Sequence, residues 1–175
     1  SVDLMQQTDL NREWGNAYIR DEEAGYYYLY GKGTYDFVVR PFVARCPLDG
    51  LLGTWEFYTG SGWTTDLNTL NAAGNSAWIS NEAITHAFTT FKHYGRYYLF
   101  FQENGYLGCD ELGRSMYIMA AVQPWGPFDN AIYVYTMSDS IGGLPLVTYN
   151  AQAHPQFNKN GELLTCYNVN NTCPS

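Results

Sequence analysis

Basic residues are scarce in this chain. Nine Lys and Arg stand against seventeen Asp and Glu, a formal charge of −8, and the basic residues are scattered along the sequence. Phosphate binding needs clustered Lys and Arg, so no nucleic acid is expected as a partner. No run of about 18 apolar residues occurs, so no membrane span is expected. Helix signals are poor as well. Ser1–Arg12 and Asp66–Gly74 read as short helical turns, and no amphipathic stretch reaches ordinary helix length. The four cysteines form no CxxC pair and the three histidines lie at no zinc-finger spacing from them, which argues against zinc. GxSxG, P-loop and GxGxxG motifs are absent, and with them the chemistries they serve. No signal peptide is visible and the chain begins with Ser1, so it reads as a mature product or an excerpt.

What the chain does hold is aromatic and glycine-rich. Sixteen Tyr, nine Phe and five Trp accompany seventeen Gly in 175 residues. Aromatics favour pleated, half-buried surfaces, and glycine marks tight turns between short strands. An all-β fold follows. Three segments repeat one hairpin pattern: Asn16–Gly31, His86–Gln102 and His154–Asn168. Their turn glycines, Gly25, Gly95 and Gly161, are spaced by 70 and 66 residues. Val38–Cys46 and Ser115–Val122 read as third strands of the first two repeats, with Trp55–Tyr58 and Ala131–Tyr135 as fourth strands. Four antiparallel strands per repeat describe β-propeller blades, placed near residues 14–60, 80–137 and 150–170 of a single domain. The count is about two and a half blades, fewer than the roughly four to eight of closed propellers. The remaining blades would lie on further sequence or on other chains. A single sandwich of short strands is the competing architecture.

Four cysteines allow three pairings. Cys166–Cys173 would close a short loop, leaving Cys46–Cys109. Asn170-Asn171-Thr172 is an N-glycosylation sequon within that loop. Paired cysteines and a sequon together suit a secreted or cell-surface glycoprotein.

The phrases GYYYLYG, VARCPL, GTWEFYTGSGWT, QPWGPF and AQAHPQFNKNGELLTCYNVN give a more specific resemblance. Between Trp14 and Asn168 the chain resembles uncharacterised-domain relatives of glycoside hydrolases, propellers of the five-bladed arabinanase type. The resemblance implies a funnel on one face in which some relatives cleave arabinose-containing polysaccharides. It also implies that the first blades, which usually supply the catalytic base, are absent from this stretch.

In a propeller the first strand of each blade lines the axis, so Trp14, Asn16, Asn81, Glu82, His86, Gln152 and His154 are expected to converge. Glycoside hydrolysis takes two carboxylates. Glu82 stands where similar propellers place the acid, and no partner carboxylate occupies the matching places, which hold Asn16 and Gln152. His154 is implied to help hold an axial cation through water, with structural calcium as the candidate, although calcium prefers oxygen ligands. Trp63 and Trp78 lie in Gly- and Asn-rich loops and are candidates for stacking on sugar rings. Trp55 reads as core and Trp125 as a loop lock. The expected function is carbohydrate-directed: binding or cleaving a polysaccharide in the funnel. The alternative is a noncatalytic extracellular structural or glycan-binding subunit that assembles with other chains.

Overall fold

The computed structural model describes residues 12–103 and 112–172. The first group of strands is β1 (Glu13–Asp21), β2 (Tyr26–Tyr35), β3 (Val38–Pro47), β4 (Glu56–Tyr58) and β5 (Trp63–Thr64). A helix, α1 (Leu67–Ala73), follows. Its start is fixed by Asp66, whose carboxylate accepts the amides of Asn68 and Thr69, and its end by Gly74 at φ +55°. The second group is β6 (Ile84–His93), β7 (Arg96–Glu103), β8 (Ser115–Ala121) and β9 (Asp129–Thr136). Tyr94 and Gly95, both at positive φ, make the two-residue turn between β6 and β7, which matches the twist of the strands they join. The last group is β10 (Ser140–Ile141), β11 (Leu144–Ala153) and β12 (Thr165–Thr172).

All ladders are antiparallel. The first two groups form one nine-stranded sheet of order β1-β2-β3-β6-β7-β8-β9, with β4 pairing on β3 and β5 on β4. Among the described residues a single ladder pair, Val39 with Ile84, joins the two groups. The last group is a separate three-stranded sheet, β10-β11-β12. β6 contacts both β1 and β11 while its ladder bonds run to β3 and β7. The protein is therefore mostly β, with one short helix among the described residues.

Three apolar layers hold these units together. Between the first two groups lie Tyr28, Tyr30, Val43, Ile84, Phe88, Leu99, Phe101 and Phe128. The first group buries its other face, with Trp14, Phe42 and Phe57, under Leu70 of α1 and Ala77. The second group meets the three-stranded sheet through Phe91, Phe100, Met116, Met137, Ala151 and Ala153. Successive side chains of β7, Leu99 and Phe100, thus enter different layers, as the two-residue period of a strand requires.

The expected third strands (Val38–Cys46, Ser115–Val122) and fourth strands (Trp55–Tyr58, Ala131–Tyr135) fall on β3, β8, β4 and β9 to within two residues. The helical turn expected at Asp66–Gly74 is α1. The other, at Ser1–Arg12, lies outside the described residues except for Arg12. The third hairpin needs correction. His154 does not open a strand; it follows β11, and Pro155 behind it starts a 3₁₀ turn that ends the pairing. Gly161 does sit in a turn, beside Asn160, bracketed by an isolated Lys159–Glu162 bridge.

Gly60 tests how tightly the α1 region is laid on the sheet. It holds φ +90°, and a Cβ there would stand 2.0 Å from the Ser76 carbonyl oxygen. Gly25 has a similar φ, +78°, but open space around it. Gly60→Ala is expected to lose about 3 kcal/mol of stability and Gly25→Ala about 1 kcal/mol, measured by urea denaturation. Equal losses at both sites would refute the close approach at Gly60.

Candidate functional site

Three strands carry an irregularity at the same place. The ladder slips between Trp14 and Ala17 in β1, between Ile84 and Phe88 in β6, and between Tyr149 and Gln152 in β11. Bulges of this kind disrupt pairing and re-aim side chains. Here they open a groove of about 640 Å³ along β1, β6 and β11. Asn16, within the β1 bulge, donates its Nδ2–H to the His86 carbonyl at 2.7 Å, and Lys32 Nζ donates to the same oxygen at 3.0 Å. Thr89 Oγ1 donates to Gln152 Oε1 at 2.6 Å and accepts the Ala153 amide at 3.1 Å. Gln152 Nε2 has only a long contact, 3.4 Å, to Asn150. Tyr18 stands in the groove at 69% exposure.

A charged cluster lies at one end. Lys92, which lines the groove, bonds both oxygens of Asp21 at 2.9 and 3.0 Å and reaches Glu23 at 3.0 Å. The Tyr97 hydroxyl donates to Asp21 as well. Burial by itself would raise the Asp21 carboxyl, but the bonds from Tyr97, Lys92 and the Ala24 amide outweigh it and hold the group below its ordinary value of 3.8. Burial and the bond to Asp21 push Tyr97 up to about 12. Burial would lower the Lys92 ammonium, yet its bonds to Asp21, Glu23 and Tyr97 raise it.

A second depression, about 490 Å³, is lined by Glu82, Phe101, Glu103, Tyr117 and Asn130 among others. Phe101 and Tyr117 stack there, with ring centroids 5.9 Å apart. It shares no lining residue with the groove.

The residues singled out in the sequence therefore separate. Asn16 and Gln152 line the groove, and His86 contributes its backbone carbonyl while its ring is exposed. Glu82 belongs to the other pocket, where Glu103 is the second carboxylate. Trp63 is packed among Tyr28, Tyr58 and Trp125, with the Arg45 guanidinium 4.1 Å over its ring. Trp78 lies against Tyr35 and under Arg40, and its buried Nε1 has no hydrogen-bond partner among the described residues. His154 is turned to Cys166, with Nε2 3.0 Å from Sγ. Among the described residues no group of three His, Cys, Asp or Glu could hold a metal ion.

The expected disulfides are corrected too. Cys46 and Cys166 are free thiols. Cys46 is fully buried within the sheet and burial pushes its thiol up, while Cys166 faces His154. Cys109 and Cys173 lie outside the described residues. Asn170 is exposed on β12, a position open to a glycan.

Sequence reasoning missed Tyr18, Glu103, Lys92 and Tyr97, and its reading of Asp21 as a solvated turn residue is corrected: the side chain is buried under Lys92 and Tyr97. Tyr18 had a signal in its alternation with Ala17 and Ile19. Glu103 had none, because its place depends on the pairing of β6 with β7.

Residues 2–174 match the model of a family described as a domain of unknown function (DUF5005). No curated protein matches the sequence. The family description carries no activity, so the link to arabinanase-type propellers stands on the resemblance in the quoted phrases alone.

The cluster sets the pH response. A carboxyl held low in the fold stabilises it above the ordinary carboxylate range, and that contribution is lost as pH falls through about 4 and below. A tyrosine raised in the fold stabilises it below about pH 10, and that contribution is lost between about 10 and 12. Thermal unfolding across pH should show both limbs. Asp21→Asn should flatten the acid limb, and an unchanged profile would refute the assignment.

Proposed function

The chain belongs to the DUF5005 family, and we propose that it is a carbohydrate-binding module of propeller architecture that holds a neutral glycan in the β1–β6–β11 groove. The observation that carries this reading is the chemistry of the lining. Asn16, Thr89, Gln152 and Gln156 offer amides and hydroxyls, Tyr18 offers an exposed ring, and no described lining residue is a carboxylate. Sugars are recognised by such a mixture: a flat apolar platform with a few convergent polar groups. Gln152 keeps donor capacity at Nε2, since its only contact there is long.

The propeller reading is supported by the way β6 contacts β1 on one hand and β11 on the other, as the innermost strands of successive blades do. Blade units would then be β1–β5, β6–β9 and β10–β12. A secreted or cell-surface location accords with the exposed Asn170 sequon.

Cleavage is the second reading, favoured by one observation: Glu82 and Glu103 line the same pocket beside stacked aromatic rings. Two carboxylates flanking a sugar are what glycoside hydrolysis requires.

Calorimetric titration with arabinan- and xylan-type oligosaccharides tests the first reading. Tyr18→Ala and Gln152→Ala are each expected to weaken binding about tenfold, or about 1.4 kcal/mol. Binding that ignores both substitutions would overturn the groove. For cleavage, reducing-sugar release that disappears in Glu82→Gln and Glu103→Gln is expected, and a wild type that releases none ends that reading.

A further inference from the structure

Cys166 is the exposed cysteine among the described residues, and an imidazole meets it. The position is built by the backbone. Gln152 pairs with Cys166 and Ala153 with Thr165 in the β11–β12 ladder. His154 then donates its amide to the Leu164 carbonyl at 2.8 Å and accepts the Phe157 amide at 3.0 Å. These bonds set His154 across from Cys166, and Nε2 comes to 3.0 Å from Sγ. No third ligand joins them to make a metal site among the described residues. A thiol within hydrogen-bond reach of a base is instead the arrangement of an activated sulfur nucleophile.

We propose that Cys166 and His154 form a thiol–disulfide exchange site, at which Cys166 captures a small disulfide as a mixed disulfide. The thiol proton passes from Sγ to His154 Nε2, and the thiolate attacks one sulfur of the incoming disulfide. The S–S bond of that molecule breaks as the new Cys166 S–S bond forms. The departing thiolate takes the proton from the imidazolium and leaves as a thiol. Cys166 is oxidised by one equivalent and the departing half of the disulfide is reduced, so no further oxidant is needed. The strand edge leaves Cys166 open to such a molecule, whereas Cys46 is sealed in the sheet and its thiol is raised by burial. Neither residue lines the glycan groove, although Ala153 and Pro155 on either side of His154 do.

The test uses the whole chain and two probes, dithiobisnitrobenzoate and oxidised glutathione, with peptide mapping by mass spectrometry to assign each adduct. In the folded protein Cys166 is expected to react about tenfold faster than Cys46, and His154→Gln to slow it about fivefold. In concentrated urea the wild type and the variant should react alike, which separates activation from exposure. If His154→Gln unfolds, Cys46 becomes reactive and reveals it, and His154→Asn takes its place. Isolation of the protein with Cys166 already in an intramolecular disulfide overturns the proposal. So do equal folded-state rates with and without His154, or the absence of a glutathione adduct at Cys166.

Discussion

The hairpin of β6 and β7 is buried on both faces, and the rest of the structure is arranged by that constraint. Ile84, Phe88, Leu99 and Phe101 enter the layer shared with β1–β3, while Phe91 and Phe100 enter the layer shared with β11. Such a hairpin has little exposed side-chain surface left for chemistry. Its outlet is the backbone edge of β6. Apart from the Val39–Ile84 pair, that edge is not zipped to a neighbouring strand. The bulge there frees the His86 carbonyl, and Asn16 and Lys32 satisfy it with side chains instead. The groove is thus the consequence of β1, β6 and β11 lying side by side without a common ladder.

Ladders and turns were legible in the sequence because local chemistry decides them. Apolar alternation in His86–Gln102 set the β6–β7 hairpin, and glycines at positive φ set its turn and that of β1–β2. Asp66 and Gly74 likewise framed a helix that needed no tertiary information. The candidate site was less legible. Asn16 lines the groove, but the bulges that aim it leave no mark in residue type. His154 differs from expectation for an identifiable reason: Gly161 reads as the hairpin turn, whereas Pro155 stops β11 six residues earlier. Glu103 could not be paired with Glu82 from sequence, since a single-residue change of register would send its side chain to the other face.

The position of charge in the fold bears on what the groove can hold. Asp21, with its side chain 1% exposed, and Lys92 satisfy each other, and Tyr97 completes the carboxylate's bonding. Arg20, also a groove residue, is 3.3 Å from Glu22. Exposed pairs of that kind contribute about 0–1 kcal/mol each, so Arg20 is held only loosely, whereas Lys92 is tied into a buried network. The groove therefore presents neutral donors and acceptors along most of its length, and its one firmly placed cation is already neutralised. An anionic polymer would have to compete with Asp21 for Lys92, and a neutral one would not.

The two depressions also divide the roles a carbohydrate could find here. The groove follows the edge of β6, whereas the carboxylate pocket opens over β7, β8 and β9 on a floor of Phe101 and Tyr117, rings that belong to the layer shared with β1–β3. Sharing no lining residue, they are different sites: the groove spans both sheets, and the carboxylate pocket lies on the larger one. A ligand held between Tyr18 and Gln152 is not thereby presented to Glu82 and Glu103. Binding and hydrolysis would then be separable in this fold, and loss of one by substitution would leave the geometry of the other intact.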